Sequence, residues 1–217
     1  MGMKTMEKLA AIPGEHNLKN YEETVATHEW GNTEKAFSWY ETGKVNIAYE
    51  AIDRHADSQL KDKVALHYND GSRKEAYTFE QMKYYSNQAA NVIQAKANLQ
   101  KGDRIFIFMP RTPELYFSLL GSLKIGAIVG PLFEAFMEGA VYDRLSDSEA
   151  VAIVTTPAVI NRVKIEKLPH LKTVFLVGEN IEETDKIIDF NKHLQEASVD
   201  FDIEWVDKED GSLLHYT

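Results

Sequence analysis

Residues 101–133 read KGDRIFIFMPRTPELYFSLLGSLKIGAIVGPLF, and their apolar pattern limits the chain to one class of fold. A nearly continuous apolar run begins at Arg104, and a second one begins at Ala127. Runs that are apolar on both faces are typical of strands in a parallel sheet, which helices cover on both sides. Between the runs, Thr112 followed by proline indicates the start of a helix, and Gly126 indicates its end. The stretch therefore predicts a strand, a helix and a second strand.

The same pattern recurs at a fixed interval farther along the chain. Apolar runs begin at Arg104, Ala127, Ala150 and Thr173, so each start follows the previous one by 23 residues. This interval leaves room for a helix of about three turns between short loops, as a right-handed βαβ crossover requires. We therefore predict an α/β fold with an open, mainly parallel, doubly wound sheet and flanking helices. The four runs should all point the same way.

The segment before this repeat predicts a hairpin and a helix. Residues 63–79 alternate as a β-hairpin does, with an Asn-Asp-Gly turn at 69–71. A capping box from Thr78 to Gln81 then begins a long amphipathic helix.

Further elements are predicted downstream. Residues 137–148 predict a helix, and so do residues 156–168, which begin with a second Thr-Pro pair. Residues 180–205 predict an acidic loop, a short helix and then a strand. The last seven residues, GSLLHYT at 211–217, have the pattern of the first half of a buried strand.

The N-terminal part is less regular. Scattered aromatic residues occupy positions 1–40, whereas residues 43–56, GKVNIAYEAIDRHA, predict an amphipathic helix. We therefore interpret residues 1–60 as a covering segment with a helix, and residues 61–217 as the α/β domain. The inward face of the predicted helix consists of Ile47, Ala48, Ala51 and Ile52, with Asp53 and Arg54 paired or solvated.

Composition argues against several classes of function. A formal net charge of −10 argues against sequence-independent nucleic-acid binding, which depends on clustered Lys and Arg. The chain has no cysteine, and its seven histidines show no spacing typical of metal ligands, so we expect no metal site. The opening residues lack the apolar core of a secretory signal, and the longest apolar run contains Lys124 and three glycines. We therefore expect a cytoplasmic protein that binds neither nucleic acid nor membrane.

Fold physics predicts where a ligand would bind. The sequence contains no G-x-S-x-G, Walker A or G-x-G-x-x-G motif, and its paired carboxylates lie in polar loops that are interpreted as solvated. In an open parallel sheet, ligands bind beyond the carboxyl ends of the strands, near helix N-termini. The candidate loops are Pro110–Thr112, Phe133–Phe136, Thr155–Pro157 and Gly178–Asn180.

Four segments follow one another in the order and spacing of a known family. They are ETGKVNIAYEAIDRHA, YTFEQMKYYSNQAANVI, the run from Lys101 to Phe136, and LLHYT at the end. In these segments the chain resembles the adenylate-forming acyl-CoA synthetases, and among them the AMP-forming acetyl-CoA synthetases. The resemblance extends from about Asn17 to the last residue.

The resemblance implies a ligase that uses ATP, CoA and Mg²⁺. Acetate would react with ATP to give acetyl-adenylate and pyrophosphate, and the acetyl group would then pass to CoA. Tyr216 and Thr217 would begin the loop that binds the ATP phosphates, so residues 61–217 would form an incomplete domain. The chain alone would then be an inactive N-terminal fragment, with an unpaired final strand and an apolar patch through which it could self-associate.

The resemblance also implies contacts with CoA but no catalytic residue within the chain. An aromatic-Gly-Gly segment of the family maps onto Phe133, Glu134 and Ala135. A family arginine after the next strand falls near Asn161 and Arg162, displaced by about one position. Glu134 replaces a small residue and would repel the CoA phosphates.

A second interpretation remains open at this point. The acidic charge and the absence of catalytic motifs also fit a stand-alone, non-catalytic binding or interaction module with the same fold, because fold does not determine function. A reading frame that continued past codon 217 into the phosphate-binding loop would favour the ligase.

Overall fold

A computed structural model describes residues 20–216. Residues 1–19 of the predicted covering segment lie outside the described residues, and so does Thr217. The first elements are α1 Tyr21–Thr27, α2 Trp30–Glu34, α3 Trp39–Thr42, strand β1 Lys44–Val45, a π-helical turn Tyr49–Asp53 and α4 Arg54–Ala56. Helices α1, α2 and α3 contain no buried residue.

The predicted hairpin and long helix are both present. They are formed by the antiparallel strands β2 Val64–Asn69 and β3 Lys74–Thr78 and by helix α5 Phe79–Ala97. The Asp70 carboxylate closes the hairpin turn, because it accepts hydrogen bonds from the backbone N–H groups two and three residues on. At the start of α5, the Thr78 hydroxyl accepts from the Gln81 N–H at 3.2 Å, and the Gln81 side chain accepts from the Thr78 N–H at 2.9 Å. This is the predicted capping box.

A parallel sheet forms the centre of the fold. The remaining elements are β4 Arg104–Phe108, α6 Pro113–Lys124, β5 Ile128–Pro131, α7 Glu138–Asp147, β6 Ala152–Thr155, β7 Thr173–Leu176, β8 Ile187–Asp189, α8 Phe190–Glu196 and β9 Val206–Asp207. Strands β4 to β8 form one five-stranded sheet in the order β5-β4-β6-β7-β8, and every neighbouring pair is parallel. The predicted fold class is confirmed, and the four predicted runs supply β4 to β7. Strand β9 pairs separately with β1, antiparallel.

Helices cover both faces of the sheet, because successive strand side chains point to opposite sides. From β4, Ile105 and Ile107 pack into the core that contains residues of α5, α6 and α8. Phe106 and Phe108 pack on the other face, against α7. All four side chains are almost fully buried, and each such burial contributes about 1.5–3 kcal/mol.

Helices α5 and α6 approach each other closely at Gly121. A Cβ atom added there would lie 2.7 Å from the backbone nitrogen of Ala90 and 2.9 Å from the backbone oxygen of Ser86. Only glycine therefore fits at this crossing without a shift of one helix.

The prediction of a helix over residues 156–168 is wrong. The structure has two short 3-10 turns there, Ile160–Arg162 and Ile165–Lys167. The segment is rich in β-branched residues, which are weak helix formers. Val159 and Val163 are still buried against the α7 face of the sheet, so the apolar pattern is satisfied without a continuous helix.

The segment 43–56 is helical only in part, and its inward face differs from the predicted one. Ala48 and Ile52 are buried as predicted, whereas Ile47 is 42% exposed and Ala51 is also exposed. A π-helical turn closes i→i+5 hydrogen bonds and so holds more residues than an α-helical turn. The buried apolar residues of this turn and of α4 are Ala48, Ile52 and Ala56.

Asp53 lies inside the protein and forms a buried ion pair. Its Oδ1 lies 2.7 Å from Lys124 Nζ. Lys124 Nζ also donates to Asn87 Oδ1 at 2.6 Å. Burial raises the pKa of the Asp53 carboxyl and lowers the pKa of the Lys124 ammonium, because it outweighs the attraction between the two charges. The pair joins the N-terminal segment to α5 and α6.

The order of elements in residues 180–205 differs from the prediction. Strand β8 precedes α8 and adds to the sheet beside β7, whereas the predicted final strand, within residues 197–205, has no regular structure. Side-chain amides of Asn87 and Asn91 on α5 donate to backbone carbonyls at 198–200. These bonds satisfy carbonyls that a strand would have paired with a neighbour.

The final strand is not unpaired as expected. Leu213 forms a single parallel bridge with Val129 of the edge strand β5, in which the Leu214 N–H donates to Val129 O at 3.0 Å and the Val129 N–H donates to Ser212 O at 2.9 Å. Leu213 is nevertheless 55% exposed.

Candidate functional site

The carboxyl ends of β4 and β6 meet where the chain changes direction across the sheet. From β4 the chain passes to β5 on one side and then crosses to β6 on the other. Ligands of doubly wound sheets bind in the crevice at such a point. The Thr155 hydroxyl at the end of β6 donates a hydrogen bond of 2.7 Å to the backbone oxygen of Phe108 at the end of β4. This bond holds the two strand ends together.

A cleft of about 660 Å³ opens at the carboxyl ends of β4 and β5. The hairpin turn, the loop that leads into α6 and the turn after β5 form its walls. Charged and titratable side chains line it, namely Asp70, Arg111, Glu134 and His215. Small-molecule sites typically occupy roughly 300–1,000 Å³, so the cleft has the size of a ligand site.

Thr112 stands at the start of α6, as predicted, but it does not cap the helix through its side chain. Its backbone has the extended conformation of an N-cap residue, and its hydroxyl makes no capping hydrogen bond. Among residues 20–216, Thr112 Oγ1 is a buried oxygen without a hydrogen-bond partner. The Thr-Pro pair therefore starts the helix through backbone geometry and proline at the first turn.

The two segments predicted to contact CoA touch each other. Arg162 Nη1 donates to the backbone oxygens of Glu134 at 2.8 Å and Phe136 at 3.2 Å. The guanidinium therefore fastens the turn of residues 133–136, which we call the aromatic turn, to the segment after β6.

The aromatic turn presents its side chains to solvent. Phe133 is 60% exposed and meets Phe136 edge-on, with ring centroids 5.9 Å apart. Glu134, Ala135 and Asn161 are exposed as well. An exposed ring beside a guanidinium can stack on a nucleotide base and contact a phosphate.

Two acidic side chains modify the charge of this region. The Glu134 carboxylate lies on the aromatic turn itself, and Lys164 Nζ pairs with Glu138 Oε2 at 2.9 Å. Hydrogen bonding of its ammonium to the Glu138 carboxylate raises the pKa of Lys164. Because this pair lies at the surface, solvent screens it.

Arg144 of α7 lies between two aromatic side chains. Its guanidinium carbon is 4.4 Å from the ring centroid of Phe136 and 5.6 Å from that of Tyr216. The Tyr216 hydroxyl donates to Asp147 Oδ2 at 2.6 Å. Burial, and then this hydrogen bond, raise the pKa of Tyr216. The aromatic turn and the last described residue are thus joined through α7.

The position of Arg144 on α7 is a sequence signal for its role. Val141 and Leu145 mark the inner face of α7, and Arg144 lies next to Leu145 and three residues after Val141. A charged residue beside a buried helical stripe needs a partner, and here the partners are aromatic rings. Thr217, by contrast, lies outside the described residues, directly after Tyr216.

Residues 20–216 contain neither a metal-binding cluster nor a membrane-spanning helix. No three His, Asp or Glu side chains there converge into a cluster that could hold a metal ion. No described helix has the length and apolar character needed to cross a membrane.

One known protein family matches most of the chain. The sequence profile of the family described as AMP-binding enzyme matches residues 52–217.

Individual relatives cover the chain more fully but extend well beyond it. Acetyl-coenzyme A synthetase of Bacillus subtilis (strain 168) is 59% identical over 212 residues, which are 98% of this chain and 37% of that protein. Acetyl-coenzyme A synthetase of Helicobacter acinonychis (strain Sheeba) is 29% identical over 199 residues, which are 83% of this chain and 30% of that protein. The chain thus spans about a third of the length of these curated relatives.

A solved structure supports the same relationship. The crystal structure of a Brucella canis acyl-CoA synthetase superposes with a TM-score of 0.78 at 27% sequence identity. The superposition covers 91% of this chain and 36% of that chain.

Proposed function

The chain belongs to the AMP-binding enzyme family, and from that membership we propose that it is part of an acetyl-CoA synthetase. The enzyme would convert acetate, ATP and CoA to acetyl-CoA, AMP and pyrophosphate through an acetyl-adenylate. One observation carries the proposal, namely 59% identity to a curated acetyl-coenzyme A synthetase over 98% of this chain.

The aromatic turn and Arg162 form the proposed contact with the nucleotide end of CoA. Phe133 offers an exposed ring for stacking on the adenine, and Ala135 is small enough to let a ligand approach the backbone. Only Nη1 of Arg162 donates to another residue in the described part of the chain, so its other N–H groups are available to a phosphate. Asn161 lies next to it in an exposed position, and Glu134 weakens the site through its charge.

ATP is proposed to bind at the carboxyl edge of the sheet, with Thr217 at the start of its phosphate loop. The position of the last described residues supports this proposal. The parallel bridge between Leu213 and Val129 of β5 directs the chain toward this edge, and His215 lines the cleft there. Mg²⁺ in such sites is bound mainly by the phosphates of the nucleotide with one or two carboxylates, and it neutralises phosphate charge. The described residues supply no cluster for it, so its protein ligands are proposed to lie outside them.

The domain boundaries follow from the same proposal. Residues 1–60 would form a covering segment, and residues 61–217 would form the first part of a larger AMP-binding domain. The buried Asp53–Lys124 pair supports this arrangement, because it fastens the covering segment to the sheet domain. We also propose that the enzyme acts in the cytoplasm, where its three substrates occur together.

Thioester formation tests the function and the CoA site together. The enzyme that contains this chain should form acetyl-CoA from acetate, ATP and CoA, and propionate in place of acetate will measure acyl selectivity. Phe133→Ala should raise the KM for CoA about tenfold, because stacking on one base contributes about 1–3 kcal/mol. Trp30→Ala is the matched control, since Trp30 is 77% exposed in α2, outside the aromatic turn, and it should leave this KM unchanged.

Two results would contradict the proposal in different ways. An enzyme with no thioester activity on any short-chain acid would exclude the synthetase and favour a non-catalytic binding module. An active enzyme in which Phe133→Ala leaves the KM for CoA unchanged would exclude the CoA site alone.

A further inference from the structure

Arg144 makes an unusual set of contacts for a charged side chain. The rings of Phe136 and Tyr216 lie on its guanidinium, and its Nη1 donates to Ala140 O at 2.9 Å. Its Nε is buried and has no hydrogen-bond acceptor among the described residues. The guanidinium is therefore positioned mainly by aromatic faces, which attract a planar cation.

Asp147 of the same helix does not form an ion pair with Arg144. Asp147 lies three residues farther along α7, where an ion pair could form, but its Oδ2 accepts the hydroxyl of Tyr216 instead. Within residues 20–216 no carboxylate lies within ion-pair distance of Arg144. The carboxylate and the guanidinium thus hold the same tyrosine from two directions, Asp147 through the hydroxyl and Arg144 through the ring.

The two rings belong to two different loops. Phe136 ends the aromatic turn, whose carbonyl oxygens bind Arg162. Tyr216 immediately precedes Thr217, with which the proposed phosphate loop begins. The guanidinium of Arg144 contacts both rings.

We propose that Arg144 is a positioning residue that sets the CoA-binding turn and the start of the ATP phosphate loop relative to each other. The inference rests on the proposed function. Arg144 itself would contact neither CoA nor ATP. It fixes the ring of Phe136, and hence the carbonyl that Arg162 binds, and it fixes Tyr216 at the entrance to the phosphate loop.

Steady-state kinetics of the enzyme that contains this chain test the proposal. Arg144→Gln should raise the KM for CoA and the KM for ATP, each about fivefold, which is the size of one partly desolvated cation–π contact. Arg144→Lys keeps the charge but not the planar group, so its effects should lie between those of the wild type and Arg144→Gln. Arg162→Gln should raise only the KM for CoA.

A matched control separates positioning from general loss of stability. Arg104 is also a partly buried arginine that donates to a backbone carbonyl at the end of α7, with Nε 2.7 Å from Ser148 O, but it lies at the amino end of β4. Arg104→Gln should lower the melting temperature and leave both KM values unchanged. In the double variant Arg144→Gln/Arg162→Gln, the effects on the KM for CoA should be less than multiplicative, because both residues hold the same turn.

The outcomes distinguish this proposal from the proposed function. A wild-type enzyme that forms no acetyl-CoA would overturn the function and this proposal with it. An active wild type, with both KM values of Arg144→Gln within twofold of normal, would overturn the positioning role alone. Equal KM changes in Arg104→Gln, or strictly multiplicative effects in the double variant, would also overturn it.

Discussion

Replacement of Lys124 by methionine should remove a large part of the stability of the chain, because it leaves Asp53 buried without its partner. Both side chains are almost completely buried, and their charged atoms are 2.7 Å apart. Removing one member of a buried ion pair costs about 3–5 kcal/mol. A whole domain is stable by only about 5–15 kcal/mol, so this single change should be severe.

The double variant Lys124→Met/Asp53→Asn provides the matched control. Burial raises the pKa of Asp53 and lowers that of Lys124, which indicates that each charge loses more from desolvation than it gains from its partner. Removing both charges should therefore restore most of the lost stability. A cost of about 1–3 kcal/mol should remain, because Asn87 Oδ1 loses the donor that it has at 2.6 Å.

Urea unfolding followed by tryptophan fluorescence would measure both variants. In Lys124→Met the folded-state pKa of Asp53 should remain above its ordinary value of 3.8, so the folded chain keeps a proton that the unfolded chain has released. Stability should then fall as pH rises through that window, and the loss should be smaller at pH 4 than at pH 7. A double variant no more stable than Lys124→Met would refute the reasoning, because the pair would then be stabilising in itself.

Two other predictions concern packing and the activity of the chain alone. Gly121→Ala should destabilise the chain by about 1–3 kcal/mol, because its Cβ would lie 2.7 Å from a backbone nitrogen of α5. The control is Gly139→Ala in α7, whose Cβ would meet nothing within 4 Å, and it should stabilise the chain by about 0.5–1 kcal/mol. Equal effects of the two substitutions in urea unfolding would contradict this prediction. The 217-residue chain by itself should show no acetate-dependent exchange between ATP and pyrophosphate and should self-associate through exposed apolar residues such as Leu213, which sedimentation can measure. Exchange by the isolated chain, or a strictly monomeric chain, would refute the corresponding part.

The parallel sheet was predictable because short stretches of sequence determine both which strands are buried and how long the crossovers between them are. The interval between Arg104, Ala127, Ala150 and Thr173 gave four strands of the sheet in one direction, and all four are present. Local sequence patterns gave wrong predictions where tertiary contacts determined the local structure. Residues 156–168 bury their apolar side chains with two 3-10 turns, and the periodicity of the sequence does not predict these turns.

The candidate site was less predictable, since its contacts join residues far apart in sequence. The bond from Arg162 to Glu134 O spans 28 residues and uses a backbone oxygen, which every residue has. The contacts of Arg144 with Phe136 and Tyr216 depend on the packing of α7 against one face of the sheet. The buried charge of Asp53 likewise follows from a partner, Lys124, on a separate helix.

Acetate-dependent exchange of labelled pyrophosphate into ATP would show whether the enzyme forms an acetyl-adenylate. The reaction reports acyl-adenylate formation and needs no CoA, so it separates activation of the acid from thioester formation. The enzyme that contains this chain should catalyse the exchange with acetate and Mg²⁺ and not in the absence of acetate. Exchange that did not depend on any short-chain carboxylic acid, or no exchange at all in a folded, full-length enzyme, would contradict the account.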